Sequence, residues 1–309
     1  MSDERVVELD GFNVMVRGRD ALYIANKNDA YVGRALILYG EYGQNEFDLL
    51  GQLVFPGACV VEVGSHIGSH AVRLAQKIGL QGRLIAIEPQ PPLFQAMAGT
   101  MALNGLMNVD CYPFALGETA ETILLPAVDY RKENNFGGLS LRNVPSSGIF
   151  VMQQRLDDIY RLPKLDMIKL DVEGMELAVL KGGAATVDKF RPVIYFENDR
   201  PELSKDILAW LFARKYKMWW HFPELYNAQN YFGNPVNVFG TVSSINVLAL
   251  PEEKQANIGL REIKSADEFH RPRPIRRLVR VRLRKNCSRV LREPLCIRRV
   301  RMRVGFVHC

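Results

Sequence analysis

Five carboxylate side chains lie within or directly after apolar segments of this sequence, and their type and spacing suit them to chemistry. They are Glu62 in CVVEV, Glu88 in RLIAIE, Asp171 and Glu173 after LDMIKL, and Glu197 in VIYFE. A carboxylate can take a proton from a hydroxyl, bind an ammonium group or ligate a hard metal ion. Because such apolar segments are typical of buried strands, we expect these side chains to face one crevice at the strand ends.

The stretch VVEVGSHIGSHAV (60–72) predicts a tight, glycine-rich turn between a strand and a helix. Gly64 and Gly68 would let a ligand approach the backbone beside the free amides at the start of the helix. A dinucleotide fingerprint would also need glycine at two positions that are His66 and Ser69 here. The turn therefore argues against a nicotinamide cofactor, and a turn that binds no ligand remains the alternative interpretation.

The two acids nearest this turn suit an adenosine cofactor that carries an amino acid. Glu62 is surrounded by apolar residues, so it needs a cation or N–H donors, and the ammonium of a methionine moiety would serve. Glu88 follows about one βα unit later, where a carboxylate can accept both hydroxyls of a ribose. The alternative for Glu88 is that it caps the helix that starts at Pro91.

The remaining acids are candidates for proton transfer. Asp171 and Glu173 straddle a strand end in IKLDVEG, where either could act as a general base toward a hydroxyl. The alternative is that they serve the next helix, Asp171 as its N-cap and Glu173 by favouring its positive end. Asp171, Glu197 and Asn198 could also ligate a divalent cation, but such groups more often line a polar pocket, so we expect no metal.

Strand-like and helix-like segments alternate through most of the chain. Apolar runs of strand length are separated by helix-length segments, several of which are bounded by glycine or proline. Strands buried on both faces and separated by helices are typical of a doubly wound α/β fold with a parallel sheet. Residues 5–24 predict a meander of short strands. The predicted strands are 59–63, 83–88, 109–116, 165–171, 193–197 and 243–250, and the predicted helices are 29–54, 70–78, 91–105, 175–183 and 201–215.

In this order and spacing, the segments resemble the FkbM family of methyltransferases. The matching text includes VVEVGSHIGSHAVRLA, GRLIAIEPQPPLFQAMAGTMALNG, IKLDVEGMELAVLKG and RPVIYFE, and the resemblance covers about residues 40–250. It implies a class I methyltransferase (Rossmann-like) fold, an α/β architecture whose mostly parallel central sheet has helices on both faces and one antiparallel strand. It also implies O-methylation of a hydroxyl with S-adenosylmethionine as the cofactor.

The resemblance also implies roles for individual residues. Asp171 with Glu173 would face the methyl group. From the chemistry of methyl transfer, we expect Asp171 or Glu173 to remove the proton of the acceptor hydroxyl, and Glu197 is a further catalytic candidate. His66 and His221 are rivals for proton removal. The family often has Asp-Val-Gly-Ala-Asn at the first turn, whereas this chain has Glu-Val-Gly-Ser-His. The residues expected to bind the cofactor are Glu62, Gly64, Ser65, His66, Gly68, Glu88 and Pro89.

Two polar segments are candidates for the acceptor side of the site. Residues 126–148 are rich in glycine and asparagine, and residues 219–240 combine amides with Trp219, Phe222 and Tyr231. Aromatic faces beside amides suit a saccharide or another polyhydroxylated acceptor, although these rings could equally pack a surface loop. The alternatives to a methyltransferase are a nucleotide-dependent oxidoreductase and a non-catalytic nucleotide-binding protein.

Charge divides the chain into an acidic body and a basic tail. Residues 271–309 hold 13 Arg and one Lys against one acid, so the net charge of +6 leaves residues 1–270 at −7. The acidic body does not favour nucleic-acid binding. The tail could contact anionic surfaces, or it could be a dispensable or out-of-frame segment that packs little against the domain.

We expect an N-terminal part (1–50), a methyltransferase domain (51–250), and a linker with a disordered tail (251–309).

Composition also predicts the cellular setting. No apolar run reaches the ~18 residues of a membrane span, and the N-terminal residues lack the pattern of a signal peptide. The five cysteines show no CxxC spacing, which argues against a zinc site or a disulfide framework. We therefore expect a cytoplasmic protein. From the polar segments described above, we expect its acceptor to be a small molecule or a glycan.

Overall fold

The computed structural model of the protein describes residues 5–140, 142, 146–159, 162–254 and 256–269, together with the backbone of 281–283. Most of the basic tail, for which the sequence predicts disorder, lies outside the described residues. Among the helices of the described part, none is long and apolar enough to cross a bilayer.

Strands and helices alternate along the chain, and the N-terminal meander confirms the prediction for residues 5–24. The strands are β1 (Val6–Glu8), β2 (Asn13–Arg17), β3 (Leu22–Asn26), β4 (Cys59–Val63), β5 (Arg83–Ile87), β6 (Val109–Tyr112), β7 (Ala115–Leu116), β8 (Glu121–Pro126), β9 (Gly148–Gln154), β10 (Met167–Leu170), β11 (Val193–Glu197), β12 (Tyr216–His221), β13 (Asn246–Pro251), β14 (Ala256–Ile258), β15 (Arg261–Ile263) and β16 (Val281–Leu283). The helices are α1 (Val32–Tyr39), α2 (Gln44–Leu53), α3 (Ser69–Ile78), α4 (Pro91–Leu103), α5 (Leu156–Ile159), α6 (Glu176–Gly182), α7 (Ala184–Phe190) and α8 (Pro201–Ala213).

The central sheet has the order β15-β12-β13-β11-β10-β4-β5-β6. Strands β11, β10, β4, β5 and β6 are parallel, β13 is antiparallel to β11, and β12 is antiparallel to β13. This confirms the mostly parallel sheet. The expectation of one antiparallel strand is incomplete, because the chain returns after β13 to add the short edge strand β15, which is antiparallel to β12.

The strand order reverses between β4 and β10. From β4 the chain continues to β5 and β6 on one side, and from β10 it continues to β11 on the other. In open α/β sheets, ligands bind in the crevice outside the carboxyl ends of the strands at such a switch point. The predicted acids in and after β4 and β10 therefore lie beside this crevice.

Two apolar layers cover the two faces of the central sheet. Val60 and Met167 pack into one core with side chains of α2, α3 and α4. Val61 and Ile168, one residue further along each strand, pack into the other core with side chains of α6 and α8. Alternate residues of a strand point to opposite faces, so helices on both faces follow from strands that are apolar throughout.

The prediction of one helix over residues 29–54 is wrong. Gly40 and Gly43 have left-handed backbone angles, with φ of 69° and 62°, and they separate α1 from α2. The predicted strand 109–116 is also divided, because β6 joins the central sheet while β7 pairs with β9 in a separate three-stranded sheet.

The sequence prediction missed strand β12, which lies partly in the segment predicted as an acceptor loop. It also missed the edge strand β15, which extends the central sheet beyond residue 250. Strand β14 pairs through its backbone with β16, at residues 281–283 of the basic segment. The limits of the three parts of the chain stay a prediction.

Candidate functional site

A cavity of about 520 Å³ lies at the carboxyl ends of β4, β10 and β11. Most of the predicted site residues line it, because residues after neighbouring parallel strands meet at one edge of the sheet. Gly68 and Pro89 belong to the predicted set but are not among its lining residues. The predicted residues that line the cavity are Glu62, Gly64, Ser65, His66, Glu88, Asp171, Glu173 and Glu197.

Contacts and backbone conformation inside the protein explain both glycines of the turn after β4. A Cβ atom on Gly64 would lie 1.8 Å from the carbonyl oxygen of Asp171, so no larger residue fits at this contact. A Cβ atom on Gly68 would meet only the terminal methyl of Met101 on α4, which can move, so its left-handed φ of 83° is the stronger reason for glycine there. The argument for a ligand at this turn therefore rests on its carboxylates and amides, not on its glycines.

Glu88 is held by backbone donors on two sides. Its Oε2 accepts a hydrogen bond of 2.9 Å from the amide of His66, and its Oε1 accepts one of 2.9 Å from the amide of Gln90. Because Gln90 is the N-cap of α4, the capping interpretation of Glu88 is partly right. Burial raises the pKa of Glu88 to about 7, against the effect of the two amides, which stabilise the charged form.

A buried lysine stands among the carboxylates. The Nζ atom of Lys169, a side chain that is 2% exposed, lies 3.4 Å from Asp171 Oδ2, 3.8 Å from Glu62 Oε1 and 3.9 Å from Glu46 Oε1. Lys169 pairs in register with Glu62, so both side chains leave the same face of the sheet. Burial lowers the pKa of Lys169, but the three carboxylates outweigh it and hold that pKa above its ordinary value.

Sequence reasoning did not identify Lys169 or Glu46. A signal for Lys169 was present, because a lysine inside the apolar run MIKL needs carboxylate partners if it is buried. Glu46 carried no such signal, since it lies in a mixed helical segment and reaches the site only through the packing of α2.

Glu62 has one oxygen that the protein does not satisfy. The residue is only 1% exposed, so its Oε2 is shielded from water, yet this oxygen has no hydrogen-bond partner within the described ranges. Burial raises the pKa of Glu62 to about 7, and the charge of Lys169 opposes that shift. A buried carboxylate oxygen without a partner indicates a place for a cation or an N–H donor.

Asp171, Glu173 and Glu197 form a compact group of carboxylates, with one oxygen of each within 4.8 Å of the others. Two of them have cationic partners: Lys169 contacts Asp171, and Arg200 donates a short hydrogen bond to Glu173. Glu197 Oε2 is buried and, among the described residues, has no hydrogen-bond partner.

Burial and neighbouring charge act differently on two of these acids. Burial raises the pKa of Glu173 to about 7, although Arg200 favours the charged form. Burial and the charges of Asp171 and Asp199 hold the pKa of Glu197 well above its ordinary value. Glu173 also has a left-handed backbone, with φ of 56°, a conformation uncommon outside glycine and often found at functional sites.

The helix-capping interpretation of Asp171 is wrong. Helix α6 begins at Glu176, and its N-cap is Met175, which makes no side-chain capping bond. The side chain of Glu176 itself accepts hydrogen bonds from the amides of Val172 and Gly174. Asp171 is therefore free to face the cavity.

Asn198, expected beside Glu197, instead donates to Ser204 Oγ and does not join the carboxylate group.

The two histidines proposed as rival bases have different surroundings. His221 does not line the cavity, its Nδ1 lies 2.7 Å from the hydroxyl of Tyr195, and burial lowers its pKa to about 4. His66 does line the cavity, and its Nε2 lies 3.4 Å from Asp29 Oδ2. Burial lowers the pKa of His66, against the charges of Asp29 and Asp171.

The expected aromatic acceptor surface is not formed by the predicted rings. Trp219 packs in the core on β12 and Phe222 stacks on Trp220, so neither ring lines the cavity, and Trp219 packs in the sheet, not in the surface loop of the alternative interpretation. Tyr231 is half exposed and does not line the cavity. Besides the predicted residues, the lining of the cavity includes Tyr31, Tyr42, Asn135, Gly137, Gly138, Leu225, Val242, Ser243, Ser244 and Ile245.

Comparison with known proteins identifies a matching family. The model of a family described as "Methyltransferase FkbM domain" matches residues 62–218. A curated relative, methyltransferase sdnD of Sordaria araneosa, is 27% identical over 161 residues, which cover 40% of this chain and 59% of the relative. The chain therefore spans about three fifths of the length of this relative.

Solved structures with low sequence identity are also similar. The methyltransferase FkbM of Methylobacillus flagellatus KT is 17% identical, with a TM-score of 0.44 over 64% of this chain and 45% of that chain. The O-methyltransferase TomG of Streptomyces achromogenes, in complex with S-adenosylmethionine, is 15% identical, with a TM-score of 0.42 over 67% and 78%. An S-adenosylmethionine-dependent O-methyltransferase of Thermotoga maritima is 13% identical, with a TM-score of 0.41 over 67% and 64%.

Proposed function

Because this chain belongs to the FkbM methyltransferase family and has the class I methyltransferase fold, we propose that it methylates a hydroxyl with S-adenosylmethionine. The acceptor is a saccharide or another polyhydroxylated molecule. The observation that carries the proposal is the convergence, in one cavity, of a buried carboxylate with an unpartnered oxygen and a separate group of acids.

The residues around the turn after β4 fit this cofactor by charge and by donor type. Glu62 Oε2 lacks a partner and would accept the ammonium of the methionine moiety. Glu88 would accept the ribose hydroxyls, with His66 and Ser65 supplying the adjacent turn. When bound, the cofactor supplies a methyl group already activated on a sulfonium, so the protein has to orient the acceptor and take its proton.

Among the clustered acids, Glu197 is best suited to take that proton. Asp171 and Glu173 each have an oxygen engaged by a cation, Lys169 and Arg200 respectively, which competes with an acceptor hydroxyl for that oxygen. Glu197 has no such partner in the described chain, and its pKa is raised well above the ordinary value by burial and neighbouring acids. A base with a raised pKa accepts a hydroxyl proton more readily once it is ionised.

The polar groups on the acceptor side support a polyhydroxylated molecule. Tyr31, Tyr42, Ser243 and Ser244 bring hydroxyls to the cavity, and Asn135 brings an amide. Groups that both donate and accept hydrogen bonds suit ligands with several hydroxyls. This set replaces the aromatic residues first expected there.

A binding and turnover experiment tests the proposal. Calorimetric titration should give saturable binding of S-adenosylmethionine and none of NAD. Incubation with a panel of neutral sugars and polyols should release S-adenosylhomocysteine only when an acceptor is present. Binding of NAD in place of S-adenosylmethionine would favour an oxidoreductase. Cofactor binding without product release for any acceptor would favour a non-catalytic binding protein.

A further inference from the structure

We propose that Lys169 is a positioning residue whose ammonium favours the ionised form of Glu62 beside Asp171, and that Glu46 holds this ammonium in place. The inference rests on the proposed function, because Glu62 is the residue assigned to the cofactor ammonium. It adds two residues, Lys169 and Glu46, to those that the sequence and the family assign to the site.

The geometry is that of one cation shared by three elements. Glu46 lies on α2, Glu62 on β4 and Asp171 directly after β10, and all three carboxylates are within 4.0 Å of Lys169 Nζ. An ammonium has three N–H donors that can be shared among separate acceptors. The lysine therefore links the cofactor side of the cavity, at Glu62, to the group of acids on the acceptor side, at Asp171.

The charges explain why such a link is needed. A buried carboxylate that lies near other acids tends to take up a proton unless a cation lies close to it. Lys169 is that cation for Glu62, which is buried and has Asp171 and Glu46 around the same ammonium. A protonated Glu62 would be neutral and would no longer attract the cofactor ammonium, so the position of Lys169 sets the pH range of binding.

Stability alone is a poor explanation for the lysine. Its neighbours on β10, Met167, Ile168 and Leu170, are apolar and fully buried, as is typical of a central parallel strand. A buried ion pair seldom stabilises a fold more than apolar residues of the same size. A charged residue at this position therefore points to a function in the site.

Glu46 extends the site to the N-terminal part of the chain. It lies outside the family-matched residues 62–218, yet its side chain is buried on α2 against Lys169. Burial raises the pKa of Glu46 to about 7, against the charge of Lys169. Without Glu46, the ammonium of Lys169 would have only Glu62 and Asp171 as close acidic partners in the described structure.

Stability measured without cofactor gives the first test. Folding raises the pKa of Glu62 to about 7, so the folded protein binds a proton more tightly at this residue than the unfolded chain does. The contribution of this proton to the free energy of unfolding is fully present below the unfolded pKa and is lost as the pH rises through about 7. In K169M the folded pKa is higher still, so this loss should continue into the alkaline range. Urea unfolding from about pH 6 to pH 9 should level off above neutral pH in the parent protein and keep falling in K169M.

Binding of S-adenosylhomocysteine gives the second test. Affinity in the parent protein should fall as the pH drops through about 7, because Glu62 takes up a proton. In K169M the midpoint of this fall should move up by about one pH unit or more, and affinity should recover at alkaline pH. A merely structural role would lower affinity at every pH without that recovery.

Two further variants complete the experiment. E46Q tests the Glu46 part of the proposal: if Glu46 holds the ammonium in place, its loss should move the midpoint up, as in K169M, whereas loss of the Glu46 charge alone would move it down. Lys164 is a half-exposed lysine that pairs with Asp166, and K164M should leave the midpoint unchanged.

Each outcome decides a separate point. A midpoint that does not move up in K169M would overturn the role of Lys169, and one that does not move up in E46Q would overturn the role of Glu46. If K169M does not fold, E46Q decides the proposal, because it loosens the same ammonium. A parent protein that binds no S-adenosylhomocysteine at any pH would overturn the proposed function. In that case the unfolding curves would still decide whether Lys169 controls the ionisation of Glu62.

Discussion

The backbones of Gly64 and Asp171 approach so closely that a Cβ atom on residue 64 would lie 1.8 Å from the carbonyl oxygen of residue 171. Gly64 also has a φ of 80°, in the left-handed region. The contact holds the turn after β4 against the end of β10, and so fixes Glu62 relative to the acids of the cavity.

Replacing Gly64 by alanine should destabilise the protein by about 3 kcal/mol or more, since the methyl group adds a backbone clash to left-handed strain. Urea unfolding measures this change. Gly105 is a matched control, because it has a φ of 63° and nothing within 4 Å of an added Cβ. Gly105→Ala should cost only about 1–2 kcal/mol. Equal losses in the two variants would show that the contact with Asp171 is not constraining.

Replacing Glu88 by alanine should weaken S-adenosylmethionine binding by about 1–3 kcal/mol, because the ribose hydroxyls would lose a charged acceptor. The amides of His66 and Gln90 would also lose their partner and the turn would loosen. Calorimetric titration measures the change, with Glu118→Ala as a control at an exposed acid. Unchanged affinity in a folded Glu88→Ala variant would remove Glu88 from the site.

Replacing Glu197 by glutamine should lower turnover by roughly 10²–10⁴ while cofactor affinity is kept, if this carboxylate takes the acceptor proton. The pKa of Glu197 is raised well above its ordinary value by burial and then by the charge of Asp171. Turnover of the parent protein should therefore rise with pH as Glu197 loses its proton, and this rise should be lost in E197Q. Initial rates across the pH range measure both effects.

The other two acids of the group provide the comparison for Glu197. Asp171→Asn and Glu173→Gln should each lower turnover less than E197Q, because their oxygens already contact Lys169 and Arg200, which compete with the acceptor hydroxyl. Glu202→Gln, at an exposed acid, serves as the control and should leave the rates unchanged. A larger loss in Asp171→Asn than in E197Q would transfer the role of base to Asp171.

Part of this site could be predicted from the sequence, because buried parallel strands bring the residues at their carboxyl ends together. Glu62, Asp171 and Glu197 follow that rule, and all three line the cavity. Tyr42 and Glu46 could not be found in this way. Tyr42 lines the cavity and Glu46 contacts Lys169 only because α1 and α2 separate at Gly40 and Gly43, which depends on how the N-terminal part packs.

The acceptor side was harder to predict because aromatic composition does not distinguish a binding surface from a core. Trp219 and Trp220 lie on β12 and are buried in the central sheet, where β-branched and aromatic residues are favoured. His221 follows them into a buried hydrogen bond with Tyr195 and is not available as a base. Strand register, which the sequence left open, decided these positions.

Removing divalent metal should leave turnover unchanged. Asp171, Glu173 and Glu197 have oxygens close enough to share a cation, but Lys169 and Arg200 already supply positive charge to two of them. Dialysis against a chelator followed by rate measurement tests this expectation. Loss of activity that is restored by Mg²⁺ would show instead that these three carboxylates form a metal site.

Ending the chain at residue 270 should leave both the melting temperature and the cofactor affinity nearly unchanged. In the removed segment, arginines are mixed with apolar residues that follow no sustained helical or alternating pattern, so the sequence predicts little packing against the domain. The structure describes a backbone pairing of β16 with β14, a contact of two three-residue strands that we expect to contribute little. A melting temperature lowered by less than about 2 °C, near 1 kcal/mol for a domain of this size, would agree with this expectation. A larger decrease would show that the basic segment belongs to the fold.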